Sequence, residues 1–327
     1  MSTPAEAVDR SDEHADDRGA APGSVLAGLV LLSRPRQWVK NLLVFVAPAS
    51  AGVLFHRSSF WHTLAAFGIF CLAASGTYYL NDALDAASDR EHPSKRLRPV
   101  AAGIVPEPLA VTLGLVLLSV SIGLGELVAG WHLALVMALY GLVNVAYSLG
   151  IKNEPILDLA AVSAGFVLRA VAGGVATGIV LSNWFLIVAS FGSLLVVTGK
   201  RSGEKQLLVG AETDERSVRA TLGSYTPSFL RSVRTLAAAV TVTAYCLWAF
   251  ERAGQVHPGH DPIWFQLTIV PFTIALLHVM RILDAGDGAE LDAGDGAEPE
   301  ELALRDHRLQ IYGASWVALF AIGIYGS

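Results

Sequence analysis

Charge is scarce in this chain. Of its 327 residues, 16% are Asp, Glu, Lys or Arg, against about 25% in ordinary soluble domains. With 53% hydrophobic residues, this excludes a typical soluble domain and points to a membrane protein. Cysteine is nearly missing as well. Cys71 and Cys246 sit in apolar runs without CxxC spacing, which excludes a disulfide framework or a cysteine metal site and leaves two small hydrophobes. The first 23 residues lack the basic start of a signal peptide. They are rich in Ala, Asp, Glu, Ser and Pro and read as a disordered acidic tail.

The net charge of −6 hides a basic body. Six of the 29 acids lie in residues 1–23 and eight more in 284–301, where no Lys or Arg occurs. The remainder carries 15 acids against 21 bases. Such a body suits anionic lipid head groups and phosphorylated substrates; no nucleic-acid partner is expected. The acidic stretch contains the tandem repeat LDAGDGAE at 283–290 and 291–298. Its Asp/Gly spacing loosely resembles calcium loops, but it reads better as a flexible acidic insertion.

Apolar windows recur near 38–55, 60–80, 106–126, 131–149, 156–178, 183–199, 232–250, 262–282 and 309–326. Each approaches the ~20 residues that cross a bilayer. The expectation is an all-α integral membrane protein of nine transmembrane helices, one domain over 24–327, with an interfacial helix before the first span. The N-terminal segment and alternate loops carry 20 of the 23 Lys and Arg residues. The opposite side carries Arg57 and Arg252. This asymmetry puts the N-terminus inside and the C-terminus outside.

The foot of the second span reads GTYYLNDALDAASDREHPSKRLRP over 76–99. Tyr78, Asn81, Asp85 and Asp89 share one face if the helix continues, and Asp82 lies at its edge. An amide oxygen and several carboxylates on one face suit Mg²⁺, which takes its remaining ligands from water and substrate phosphates. Asn81 and Asp85 are the expected metal ligands, and Asp82, Asp85 and Asp89 the expected catalytic acids. The bases that follow, among them Lys95 and Arg98, can grip phosphate oxygens.

Other charges stand at span ends. Lys40 is placed as a phosphate contact; Arg36, on the same face, reads equally as a phosphate contact or an interfacial anchor beside Trp38. Lys152 and Arg169 read as phosphate or ribose contacts, with purely structural pairing as the alternative. Asp158 lies eleven residues from Arg169, about 16 Å along a helix axis, too far to pair directly. Tyr147 reads as a hydroxyl donor or a core aromatic. Tyr78, Asp158, Lys200 and Arg201 are placed among the substrate contacts as well, with Glu204 spaced to orient either base.

NDxxDxxxD followed by HPxKxxRP at the end of the second span resembles the UbiA-type superfamily of intramembrane prenyltransferases, over roughly residues 30–327. More narrowly, SRPRQWVKNLLVFVAP (33–48), YSLGIKNEPILDLAAVSAGFVLRAVAGGVA (147–176), GKRSGE (199–204) and PEELALRD (299–306) are similar to the decaprenyl-phosphate phosphoribosyltransferases. That resemblance implies transfer of 5-phosphoribose from 5-phosphoribosyl 1-diphosphate to a polyprenyl phosphate, for arabinan cell-wall precursors. It also implies Mg²⁺ at the Asn/Asp motif, a plasma-membrane location, and a homo-oligomer such as a trimer. The wider superfamily carries a second Asp-rich motif after the sixth span; here GKRSGEK is basic, which suits a donor and acceptor rich in phosphate. The competing expectations are prenyl transfer to an aromatic or other acceptor, and a membrane transporter.

Overall fold

The computed structural model describes residues 23–92, 95–210, 221–254, 261–285 and 306–325. Most of the acidic tail and of the tandem-repeat loop lies outside the described residues. Among them the chain is helical throughout. After a short helix α1 (Val25–Leu32) come a 3-10 segment (Pro35–Phe45) and α2 (Val46–Ser50). The long helices are α3 (Arg57–Leu84), α5 (Glu107–Ala129), α6 (Trp131–Leu149), α7 (Leu157–Ala176), α8 (Asn183–Gly210) and α9 (Pro227–Gly254). A short α4 (Ala86–Glu91) follows α3. The chain closes with α10 (Ile263–Leu267), α11 (Ile269–Ala285) and α12 (His307–Tyr325).

Among the described residues, seven stretches are long and apolar enough to cross a membrane: α3, α5, α6, α7, α8, α9 and the α10–α11 stretch. The protein is therefore a multi-pass membrane protein. Two of the nine expected spans differ. Residues 38–55 are no single helix, because Pro35 and Pro48 bracket a 3-10 segment carrying Lys40 and a buried Asn41. The last is a 19-residue helix whose polar start, His307, Arg308 and Gln310, lowers its hydropathy.

Small residues let α3 sit at the centre. A Cβ on Gly76 would stand 2.9 Å from the carbonyl oxygen of Gly114, and one on Gly114 would stand 2.8 Å from Leu80. The two backbones thus touch, as small-residue crossings in membranes allow. Around this contact Phe70, Leu118, Leu133, Met137 and Tyr140 form the largest apolar cluster. A second cluster joins Tyr245, Trp248, Phe265 and Phe320 from α9, α10 and α12. Gly173 of α7 is tighter still: a Cβ there would fall 1.8 Å from the Val44 carbonyl oxygen. The 3-10 segment is therefore pressed against α7, and this fixes where its Lys40 stands.

Candidate active site

No single helix carries the whole acidic motif. α3 ends at Leu84, and Asp85 caps it at φ −91°, ψ −2°, with its N–H shared between Asn81 and Ala83 carbonyls. Asp89 belongs to α4, its N–H bonded to the Asp85 carbonyl at 2.8 Å, and it shares Arg98 with Asp82. Each carboxylate meets a base from another segment. Asp82, 2% exposed, accepts from Arg34 at 2.7 Å and from Arg98 at 3.5 Å. Asp89, also buried, accepts from Arg98 at 2.8 Å. Asp85 pairs with Lys152. Asn81 Oδ1 accepts from the Ser148 hydroxyl at 2.9 Å. The expected roles of the acids thus separate. Asp82 and Asp89 are clamped by arginine, whereas Asp85 keeps 21% side-chain exposure beside Asn81. Burial pushes the Asp89 carboxyl up, with Arg98 opposing.

Asp158 and Arg201 were expected at the substrate and instead hold each other. Asp158 is 0% exposed and Arg201 2%. Arg201 donates from Nε and a terminal nitrogen to the two Asp158 oxygens at 2.9 and 3.0 Å. Tyr147 donates its hydroxyl to the same carboxylate at 2.9 Å, which decides its role as a donor. Glu204 accepts from Arg201 at 3.0 Å, the i, i+3 pairing its spacing allowed. A carboxylate so enclosed braces α6, α7 and α8 and has little left to offer a ligand.

Arg169 is corrected in the same way. It is buried, and it donates to Asn41 Oδ1 (2.8 Å), the Gly165 carbonyl (2.7 Å) and the Tyr140 hydroxyl (2.9 Å). Its guanidinium also packs over the rings of Phe70, Tyr140 and Phe166. Neutral oxygens and aromatic faces solvate this intramembrane cation. The link to Asn41 ties α7 to the 3-10 segment.

Lys40, Tyr78, Lys95 and Lys200 are half-buried and Arg36 is exposed. Lys40 and Arg34 lie within electrostatic reach of Tyr78, one turn before Asn81, and the Arg34 guanidinium sits 4.8 Å from the Tyr78 ring centre. Sequence reasoning missed Arg34, Ser148, Asn41 and Tyr140. Arg34 stood in the quoted SRPRQW stretch, and its signal was a base beside proline. Among the described residues, Arg34 (φ 48°) and Ile156 (φ 71°) are the non-glycine residues with positive φ. Both flank segments that bring bases to the acidic motif, and such strain gathers at functional sites.

The donor set fits a hard cation. Among the described residues no three His, Cys, Asp or Glu side chains converge, so a protein cage is not built. Asn81 and the half-buried Asp85 offer two side-chain oxygens on adjoining turns, the small number with which Mg²⁺ is held when substrate phosphates complete its shell.

A family model, the UbiA prenyltransferase family, matches residues 42–293. The chain belongs to the UbiA family. Two relatives in this family are both named decaprenyl-phosphate phosphoribosyltransferase. That of Corynebacterium glutamicum is 43% identical over 93% of this chain and 89% of its own. That of Mycolicibacterium smegmatis is 43% identical over 96% of this chain and 98% of its own. A UbiA homologue from Archaeoglobus fulgidus, solved bound to DMAPP and Mg²⁺, superposes with a TM-score of 0.65 at 16% identity, covering 90% of this chain and 97% of that one. Its likeness shows the shared all-helical UbiA fold.

Proposed function

We propose that this UbiA-family protein transfers 5-phosphoribose from 5-phosphoribosyl 1-diphosphate to a polyprenyl phosphate, releasing diphosphate. The observation that carries the reading is the division of charge at the bundle end. Asn81 and Asp85 would form one pair of oxygen ligands, while the C-terminal part of α8 carries Lys200 and, braced to Asp158 of α7, Arg201. A base-lined site with one metal locus among the described residues suits a donor that brings a 5-phosphate and a diphosphate to meet a lipid phosphate. The names of the two relatives support the same activity.

Asn81 and Asp85 would hold Mg²⁺, which supplies charge neutralisation for a departing diphosphate. The chain's own groups do the rest. Lys152, drawn to Asp85, and Lys95 and Lys200 supply positive charge to the donor phosphates. Arg98 and Arg34 hold Asp82 and Asp89 in place, so the acids do not repel the incoming phosphates. The bond from C1 to the diphosphate breaks, and an oxygen of the lipid phosphate forms the new bond to C1. That oxygen is already anionic at neutral pH, so no general base is needed. Fixed cations that meet developing negative charge on the leaving group lower the barrier electrostatically. By the charge asymmetry of the loops, this end faces the cytoplasm across the plasma membrane.

The test is to give purified protein each donor separately. Phosphoribosyl diphosphate with decaprenyl phosphate should yield a phosphoribosyl lipid. Prenyl diphosphates with aromatic acceptors should yield no product; a prenylated product in their place refutes the reading. Transport has less support, because ionisable residues gather at one end and Arg169 within the bundle is tied to Asn41, Tyr140 and Gly165.

A further inference from the structure

Two apolar grooves flank the α7–α8 pair. One, about 310 Å³, is lined by Ile156, Leu159, Phe191 and Phe229, with Ser163 and Ser190 as its polar groups and no charged residue. The other, about 410 Å³, lies between the 3-10 segment, α7 and α8, with Leu43, Phe166 and Val188 on its walls. It differs in one respect: Lys40 stands on its wall. The segment carrying Lys40 is fixed twice, by Arg169 on Asn41 and by Val44 against Gly173. From Lys40 the path leads to Tyr78, within its electrostatic reach, and from Tyr78 one helical turn to Asn81.

We propose that the Lys40 groove is the acceptor site, seating the isoprenoid units next to the head group while Lys40 meets the lipid phosphate. The assignment rests on the phosphoribosyl-transfer reading and adds to it a place for the second substrate. An anion with an apolar tail matches an apolar groove that has one cation at its polar end. The groove is far smaller than a long polyprenyl chain, so the remaining units lie in the bilayer. The acceptor oxygen then approaches C1 from the side of Lys40, and the donor phosphates are left to Lys95, Lys152 and Lys200.

Gly192 lines this groove, and a Cβ on it meets only Thr241 at 3.9 Å. Gly192→Leu therefore adds a side chain at the groove wall, its Cβ at ordinary contact distance from Thr241. Ser190, two residues away on α8, faces the other groove and provides the control. Initial rates are measured on purified protein with decaprenyl phosphate and phosphoribosyl diphosphate varied in turn, beside thermal midpoints. Gly192→Leu and Lys40→Gln should each raise the KM for the lipid about tenfold or more while leaving the KM for phosphoribosyl diphosphate near wild type. Ser190→Leu should change neither. Ala189→Leu, on the same groove wall, repeats the test if Gly192→Leu does not fold. An unchanged lipid KM in the groove variants, meaning that only bilayer lipid fills it, overturns the assignment. So does a lipid KM raised by Ser190→Leu to the same degree. A wild-type protein that transfers no phosphoribose fails the activity reading itself, and a KM shift confined to phosphoribosyl diphosphate fails only the groove.

Discussion

Replacing Asp158 with Asn separates a brace from a ligand contact. The carboxylate is fully enclosed, and it accepts two bonds from Arg201, one from Tyr147 and a longer one, 3.5 Å, from the Tyr225 hydroxyl. The Asn side chain keeps the shape and one acceptor oxygen but loses the charge. Arg201, 2% exposed, then faces only Glu204 as an acidic partner. Removing one member of a buried pair costs about 3–5 kcal/mol when the other charge stays behind. Glu204 and the retained amide oxygen hold the expected cost near the lower figure, about 3 kcal/mol. That corresponds to a fall of roughly 5–10 °C in the thermal midpoint. Fluorescence-detected size-exclusion after graded heating of the detergent-solubilised protein reads this shift. The double variant Asp158→Asn with Arg201→Gln should lose less than the two single variants summed, because it leaves no orphaned charge. A single Asp158→Asn variant that melts like wild type but has a raised KM for phosphoribosyl diphosphate would refute the brace and restore Asp158 to the substrate.

Three further outcomes follow from the geometry. Asp85→Asn should lower turnover about 100-fold or more while monodisperse expression persists; retained activity removes Asp85 from the metal pair. Gly173→Ala places a Cβ where the Val44 carbonyl stands and should cost about 1–3 kcal/mol of stability, visible as a lower thermal midpoint and weaker lipid binding; a neutral result means that the 3-10 segment is not pressed on α7. Asp306 caps α12: bonds from the Leu309 and Arg308 backbone N–H groups and from His278 hold its carboxyl below the usual range. Its contribution is present above the unfolded value near 4 and is lost as pH falls through the lower folded value. Asp306→Ala should therefore cost about 1 kcal/mol at neutral pH, and its gap from wild type in thermal midpoint should close as pH falls below about 4; a constant gap argues against the ionised cap.

Much of the fold was legible because apolar length is a local property. α3, α5, α6, α7, α8 and α9 lie where apolar runs stand between charged loops. The first span was not legible, since two prolines turn a membrane-length window into a 3-10 segment and a short helix. The acidic motif was found by spacing, but the break between α3 and α4 at Asp85 was not. The pairings were out of reach for the same reason that they matter: they join distant segments. Arg169 reaches Asn41 across 128 positions, Lys152 reaches Asp85 across 67, and Arg201 reaches Asp158 across 43. A single chain read by spacing shows that an intramembrane arginine needs partners, and it does not show which ones.

The central claim is tested most directly by following two labels through one reaction. Phosphoribosyl diphosphate is labelled in the ribose in one sample and in the diphosphate in another, each with Mg²⁺ and decaprenyl phosphate. The ribose label should move to the organic phase with the lipid only when Mg²⁺ is present and not in Asp85→Asn, while the diphosphate label stays in water throughout and appears as free diphosphate only in the samples that turn over. A ribose label that stays in water, under conditions where the protein consumes a prenyl diphosphate, would contradict the account.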